Sequence, residues 1–160
     1  MIFVTVGTQL KFDRLIEWVE LCLNSSNHEI VAQIGNGKKP ATHIKYFDYC
    51  DANIISQYIN DAEIIISHAG MGTVLNAIKY NKKLIIVPRQ YSLGEHRNDH
   101  QMATAKWIES KKICSVAYSC SDLYNFLQKK SKIIHCKQSD LMRNEQILLK
   151  STLNNFISKK

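Results

Sequence analysis

No apolar stretch of the 160-residue sequence approaches the roughly 18–20 residues that a membrane-spanning helix needs. The N-terminal apolar run is short and lacks a basic region before it, unlike a signal peptide. Both absences lead us to expect a cytosolic protein. The five cysteines are odd in number, widely spaced and without a C-x-x-C pair, which argues against a disulfide framework and a zinc site. We therefore expect reduced structural thiols and no zinc site.

Acidic residues are also few, 14 against 21 lysines and arginines, so the formal net charge is +7. Such a charge can attract nucleic acid, anionic lipid headgroups or a phosphorylated substrate. Much of the lysine lies in pairs where helices or strands should end, which favours a solvated surface; a patch that faces a membrane is the alternative. No recognised nucleic-acid-binding module or aromatic stacking motif accompanies the lysines. We therefore expect no nucleic-acid partner.

Strand and helix patterns alternate along most of the chain. Strand patterns lie over residues 2–6, 30–34, 44–49, 63–67, 84–87 and 113–118. The runs at 2–6, 63–67 and 84–87 are typical of buried strands, and the run at 63–67 is apolar on both faces, as a central parallel strand must be. Apolar residues at helical spacing predict helices over residues 12–23, 51–60, 71–80, 95–111 and 121–130, with Ser121 capping the last. This alternation implies an α/β protein with a doubly wound, mostly parallel sheet.

Neither an internal repeat nor a Pro/Gly/Ser-rich linker divides the sequence. We expect one Rossmann-like domain over residues 1–130 and a C-terminal extension over residues 131–160. Apolar residues within 139–157 predict an amphipathic helix in that extension, which packs on its own sheet or docks on a partner. Ligands of doubly wound sheets bind beyond the carboxyl ends of the strands, so the loops there are the candidate sites.

The strongest functional signal is residues 67–73 (SHAGMGT), where a buried strand runs into the start of a helix. Helix N-termini present unpaired amides and a partial positive charge, so they bind phosphate. Gly70 and Gly72 allow close approach of a ligand, Thr73 offers a hydroxyl and His68 a ring nitrogen. The same pattern also fits a tight corner without a ligand. The dinucleotide fingerprint lacks its third glycine and no P-loop occurs, which excludes those two nucleotide sites.

Two more loops are predicted at the same edge of the sheet. Residues 88–101 are rich in Asp, His and Gln, which can satisfy several sugar hydroxyls at once. Glu95 is the member of this stretch that best fits a helix cap instead. Gly7 and Thr8 end the first strand, where a plain turn fits nearly as well.

Together the three loops resemble the C-terminal, donor-binding half of glycosyltransferases with two Rossmann-like lobes, the GT-B fold of family-28 type. The resemblance covers residues 1 to about 118, through FVTVGT with a following Phe-Asp, ISHAGMGT, and Pro-Arg with LGEHRNDHQ. It is closest to small stand-alone subunits: the catalytic subunit of the dolichol-linked N-acetylglucosaminyltransferase and its bacterial capsule and exopolysaccharide counterparts. Residues 94–101 look especially like the bacterial branch.

The resemblance implies a metal-independent site for a UDP-sugar, without a cofactor. The donor-binding residues that it implies are Gly7, Thr8, His68, Gly70, Met71, Gly72, Thr73, Asn76, Arg89, Glu95, Asn98, Asp99, His100 and Gln101. Asn76 stands where the family commonly has a ribose-binding Glu. His100 stands where an acidic residue or Gln is usual, which leaves the sugar open.

The implied reaction is sugar transfer with departure of UDP, whose growing charge the helix amides, Thr73 and His68 or Arg89 would stabilise. No convincing general base for the acceptor hydroxyl is found. In the family a separate membrane-associated subunit binds the lipid-pyrophosphate-linked acceptor. We therefore expect a heteromer recruited to the cytosolic face of the membrane, serving capsule or exopolysaccharide synthesis. The alternative is a UDP-sugar-binding regulatory module without catalysis.

Overall fold

The computed structural model describes residues 1–24 and 26–136, and they form a single six-stranded sheet with helices on both faces. The strands are Ile2–Thr5 (β1), Ile30–Gln33 (β2), Lys45–Phe47 (β3), Ile64–His68 (β4), Lys83–Val87 (β5) and Ser115–Val116 (β6). Their order is β3-β2-β1-β4-β5-β6, and every neighbouring pair is parallel. The predicted doubly wound α/β fold is confirmed.

The described residues contain five α-helices, of which the first four connect strands and the fifth follows β6. They are Asp13–Leu23 (α1), Ala52–Asp61 (α2), Met71–Lys79 (α3), His100–Ser110 (α4) and Cys120–Gln128 (α5). Two short 3-10 helices, Tyr91–Leu93 and Lys130–Lys132, precede α4 and follow α5. Within the described part of the chain no helix is both long and apolar enough to cross a membrane.

Each face of the sheet carries its own apolar core. On one face Ile2 and Val4 of β1 pack with α1 and α5, and on the other Phe3 packs with α2, α3 and α4. Because both faces are covered, the central strands must be apolar at successive positions rather than at alternate ones. Because β1 and β4 run parallel, the loops that follow them emerge from the same edge of the sheet.

The helix starts that differ most from the sequence prediction are those of α4 and α5. The α4 helix begins at His100 and not at residue 95, because a 3-10 turn ends at Gly94, with a φ of +68°, and residues 95–99 then form a bent loop. The prediction of Ser121 as the cap of α5 is wrong: the helix begins at Cys120 and Ser119 is its N-cap. The Ser119 hydroxyl accepts from the amide of Asp122, whose carboxylate accepts in return from the amide of Ser119.

The segment after α5 returns to the sheet. Ile133 and Cys136 are buried, and His135 pairs with Lys83 of β5 in an antiparallel bridge. The amide of Cys136 donates to the carbonyl of Lys82 over 2.9 Å. The first residues of the extension thus cover β5 where the two-residue β6 does not reach. The predicted helix over 139–157 lies outside the described residues.

Candidate functional site

A cavity of about 380 Å³ opens at the carboxyl ends of the central strands. Nine predicted site residues line it: Gly7, Thr8, His68, Gly70, Gly72, Thr73, Asn76, Arg89 and Gln101. Five others lie outside its wall: Met71, Glu95, Asn98, Asp99 and His100. The structure therefore brings the loops after β1, β4 and β5 to one place, as the topology of a doubly wound sheet requires.

The N-terminus of α3 faces this cavity. Gly70 is its N-cap, and the amide of Gly70 donates to the carbonyl of His68 over 2.8 Å. Among the described residues, the amides of Met71, Gly72 and Thr73 have no hydrogen-bond acceptor. A Cβ placed on Gly72 would meet no atom within 4 Å. The first turn of α3 is thus an open set of donors at the positive end of a helix dipole.

His68 is wedged between two glycines. A Cβ on Gly7 would lie 2.6 Å from its Cε1, and one on Gly70 would lie 2.2 Å from its Nε2. Both glycines are therefore required by the close approach of the ring. The ring nitrogen Nδ1 is buried and has no hydrogen-bond partner among the described residues.

The charge state of His68 follows from these surroundings. Burial, reinforced by the nearby Arg89 guanidinium, lowers its pKa from 6.5 to about 4. The ring is therefore neutral near pH 7, with one nitrogen a donor and the other an acceptor. Towards a ligand it offers a hydrogen bond and no charge.

Arg89 lines the cavity but is engaged by the protein. Its Nη2 donates to the carbonyls of Val6 over 2.8 Å and Leu10 over 2.6 Å, and its Nη1 donates to the carbonyl of Lys11. The guanidinium also lies 4.5 Å from the ring centroid of Phe12. Burial lowers the pKa of Arg89 to about 10, so it remains a cation at neutral pH.

Glu95 is likewise committed within the protein. Arg14 donates to its two carboxylate oxygens, from Nε over 2.6 Å and from Nη2 over 2.8 Å, and the amide of Gln90 adds a third bond over 2.9 Å. The Arg14 guanidinium stacks 4.5 Å from the Trp18 ring centroid. The interpretation of Glu95 as a helix cap is wrong, because its carboxylate joins α1 to the loop after β5.

The exposed residues before α4 hold that loop together. The Asn98 side chain accepts from the amide of His100 over 3.3 Å and lies 3.1 Å from the ring of His96. The Asp99 carboxylate accepts from the amide of Tyr91 over 3.2 Å. These contacts shape the loop, whereas His96 reaches the cavity wall.

Eight further residues line the cavity that were not among the predicted donor-binding residues: Thr5, Val6, Gln9, Leu10, Gln33, Ile55, Ile59 and His96. Gln33 left a visible signal, since it is a polar residue inside an apolar strand. It is 2% exposed and accepts a 2.6 Å hydrogen bond from the Thr5 hydroxyl. Ile55 and Ile59 lie on α2, whose apolar stripe looked like ordinary core.

Gln101 connects two of the loops. Its Oε1 accepts from the amide of Ala69 over 3.2 Å and from the amide of Arg89 over 3.1 Å. Both donors belong to buried residues. One side-chain oxygen thus ties the loop after β4 to the loop after β5.

We expect Gln101→Leu to lower the free energy of unfolding by roughly 2 kcal/mol, because it leaves buried amides without an acceptor. Gln101→Glu keeps an oxygen in place and should restore most of the loss. Urea unfolding of the two variants measures this difference. Equal stability of Gln101→Leu and wild type would contradict the role of the side chain as a bridge.

The fold and this cavity define the class as a Rossmann-like α/β lobe of the kind found in two-lobed glycosyltransferases. The model of the glycosyltransferase family 28 C-terminal domain matches residues 1–155, and the chain belongs to this family.

Relatives of similar sequence agree with this assignment. The chain is 28% identical over 122 residues to the UDP-N-acetylglucosamine transferase subunit ALG13 of Mus musculus, which covers 68% of this chain and 10% of that protein. It is 25% identical over 81 residues to the subunit of the same name from Debaryomyces hansenii, covering 51% of this chain and 37% of that one. The chain thus spans a minor part of these relatives.

Two solved structures share the fold. The solution structure of ALG13 superposes with a TM-score of 0.60 at 18% identity, over 92% of this chain and 94% of that one. The crystal structure of MurG from Acinetobacter baumannii gives a TM-score of 0.59 at 19% identity, over 81% of this chain and 41% of that one. The described residues therefore share the fold of less than half of the longer MurG chain.

Proposed function

We propose that this chain binds the UDP-sugar donor of a glycosyltransferase and, together with a membrane-associated subunit, transfers the sugar to a polyprenyl-pyrophosphate-linked saccharide. Capsule or exopolysaccharide synthesis is the setting that we propose, because of the sequence of residues 94–101. The observation that supports donor binding best is the open N-terminus of α3, whose free amides face the cavity next to Gly72.

The diphosphate of the donor fits this end of the cavity by charge and by geometry. Free amides and the helix dipole stabilise an anion most strongly where the backbone can approach it closely. Gly72 leaves that approach open, and the Thr73 side chain lines the wall beside it. His68 would add a neutral hydrogen bond. We propose that the site needs no metal ion, since these donors supply the positive potential.

Transfer breaks the bond between the anomeric carbon and the UDP oxygen, and UDP leaves with the electron pair. The acceptor hydroxyl oxygen forms the new bond and loses its proton to a base. Among the described residues, no Asp or Glu lines the cavity. Two histidines line it: His68 is a weak base, because burial keeps its pKa at about 4, and Nδ1 of His96 is engaged by the Asn98 side chain. We therefore propose that the partner subunit supplies the base as well as the acceptor site.

A first test concerns only the binding of the diphosphate at the N-terminus of α3. We expect Thr73→Ala to weaken UDP binding by roughly tenfold through loss of a hydrogen bond to a charged group. We expect Gly72→Val to weaken it further, since its side chain would fill the space that the diphosphate needs. Calorimetric titration with UDP measures both. The thermal unfolding midpoint should stay near the wild-type value, because position 72 has no neighbour to displace.

An assay of sugar transfer decides whether the chain is part of an enzyme. The chain is produced with the proposed membrane-associated subunit, and radiolabelled UDP-sugars are supplied with membranes that contain the lipid-linked acceptor. We expect transfer only when both subunits are present. UDP binding without transfer of any UDP-sugar would favour the alternative, a regulatory module that binds the donor. Unchanged UDP affinity in both loop variants would remove this cavity from the donor site.

A further inference from the structure

A buried cation lies beneath the loop after β1. Arg89 is 2% exposed, and no carboxylate of the described residues forms a salt bridge with it. Its terminal nitrogens donate instead to four backbone carbonyls, those of Val6, Leu10, Lys11 and Glu95. Three of the four acceptors belong to the loop after β1.

Burial of this cation is unfavourable by itself, and the Glu95 carboxylate, which attracts it without forming a salt bridge, offsets only part of that cost. Burial of the guanidinium becomes favourable where backbone carbonyls that face inward lack donors. An unpaired buried carbonyl also costs free energy, and the guanidinium removes that cost. A guanidinium offers five donors in one plane, whereas an ammonium is a single point. One side chain can thus hold three carbonyls of an irregular loop at fixed separations.

The same loop is fixed at its other end. The Phe12 ring lies 4.5 Å from the Arg89 guanidinium and 5.2 Å from that of Arg14. Arg14 in turn grips Glu95 with two hydrogen bonds and donates to the carbonyl of Pro88 over 2.9 Å. The start of α1, the loop after β1 and the loop after β5 are therefore linked through two arginines.

The loop so held forms one side of the cavity. Gly7, Thr8, Gln9 and Leu10 all line it. Gly7 has a φ of +79° and lies against the His68 ring, so a shift of the loop would also disturb that ring. The position of the His68 ring beside the N-terminus of α3 thus depends on the contacts that Arg89 makes with the loop after β1.

We propose that Arg89 is a positioning residue of the donor site: it holds the loop after β1 in its binding shape and does not itself touch the donor. This inference rests on the proposed function. It assigns to Arg89 a role different from direct stabilisation of the leaving UDP, because both terminal nitrogens of its guanidinium already donate to the protein.

The test compares Arg89→Lys with Lys106→Met in the full chain. Arg89→Lys keeps a cation but loses the planar fork, and we expect UDP affinity to fall roughly tenfold or more as the loop shifts. The amide NMR resonances of residues 7–11 should move in the free protein. Lys106 is exposed on α4 and does not line the cavity, so Lys106→Met should retain wild-type affinity and resonances.

Rescue separates positioning from general destabilisation. Ethylguanidinium added to Arg89→Ala should restore UDP affinity and the loop resonances, whereas ethylammonium should restore neither. If the Arg89 variants do not fold, Arg14→Lys loosens the same loop from its outer side, and we expect UDP to bind severalfold more weakly. Wild-type affinity and wild-type resonances in Arg89→Lys, or in Arg14→Lys when it stands in, would overturn the inference. Absence of UDP binding in wild type would instead contradict the proposed function, while the resonances still report on the loop.

Discussion

Gly7→Ala is expected to lower the free energy of unfolding by about 2–5 kcal/mol, the sum of a left-handed backbone penalty and an overpacked contact. The backbone term arises because Gly7 has a φ of +79°. The packing term arises because the new Cβ would stand 2.6 Å from Cε1 of His68. Chemical denaturation of wild type and variant measures the difference directly.

Two further variants separate these contributions. Gly94 also has a positive φ, +68°, but a Cβ there meets nothing within 4 Å, so Gly94→Ala should cost only the backbone term, about 1–2 kcal/mol. In a His68→Ala background, Gly7→Ala should fall to the same small cost, because the obstructing ring is gone. A Gly7→Ala variant as stable as Gly94→Ala would show that the ring does not occupy the place described.

Acidification from pH 7 to pH 4 is expected to remove about 3 kcal/mol of stability through His68 alone. Its pKa is about 4 in the folded protein against an ordinary value of 6.5. Between these two values the unfolded chain binds the proton more readily than the folded one. Lower pH therefore favours unfolding across this window, and above pH 7 the contribution no longer changes.

Unfolding free energies measured at several pH values in wild type and in His68→Gln test this expectation. The variant cannot titrate at this position, so its stability should depend less on pH between 4 and 6.5. His43→Gln, which removes an exposed histidine, serves as the matched control and should behave like wild type. Parallel pH curves for wild type and His68→Gln would contradict a neutral buried ring.

The fold could be predicted from the sequence because the patterns that indicate it lie within short segments. Residues 64–66 and 84–87 are uniformly apolar, as only a strand covered on both faces needs to be. Gly70 and Gly72 after such a strand indicate a helix start at the sheet edge. The meeting of three loops at one cavity then follows from the parallel order of the strands.

The roles of the charged residues were not accessible, because they depend on contacts between distant parts of the chain. Glu95 and Arg14 are 81 positions apart, and Arg89 reaches the carbonyl of Val6 across 83. From sequence Glu95 fits a helix cap and Arg89 a phosphate ligand. Which role a charged side chain takes depends on the partner that folding brings to it, and no local pattern encodes that partner.

The antiparallel bridge between His135 and Lys83 bears on whether a shortened form of this protein would aggregate. Exposed strand backbone is a template on which a second molecule can pair, and such edges promote aggregation. The bridge and the hydrogen bond from the Cys136 amide to the Lys82 carbonyl occupy backbone at the start of β5 that the short β6 leaves unpaired. A fragment ending at residue 130 would uncover it. Residues 133–136 therefore cover strand backbone on which a second molecule could pair, and they also extend the core.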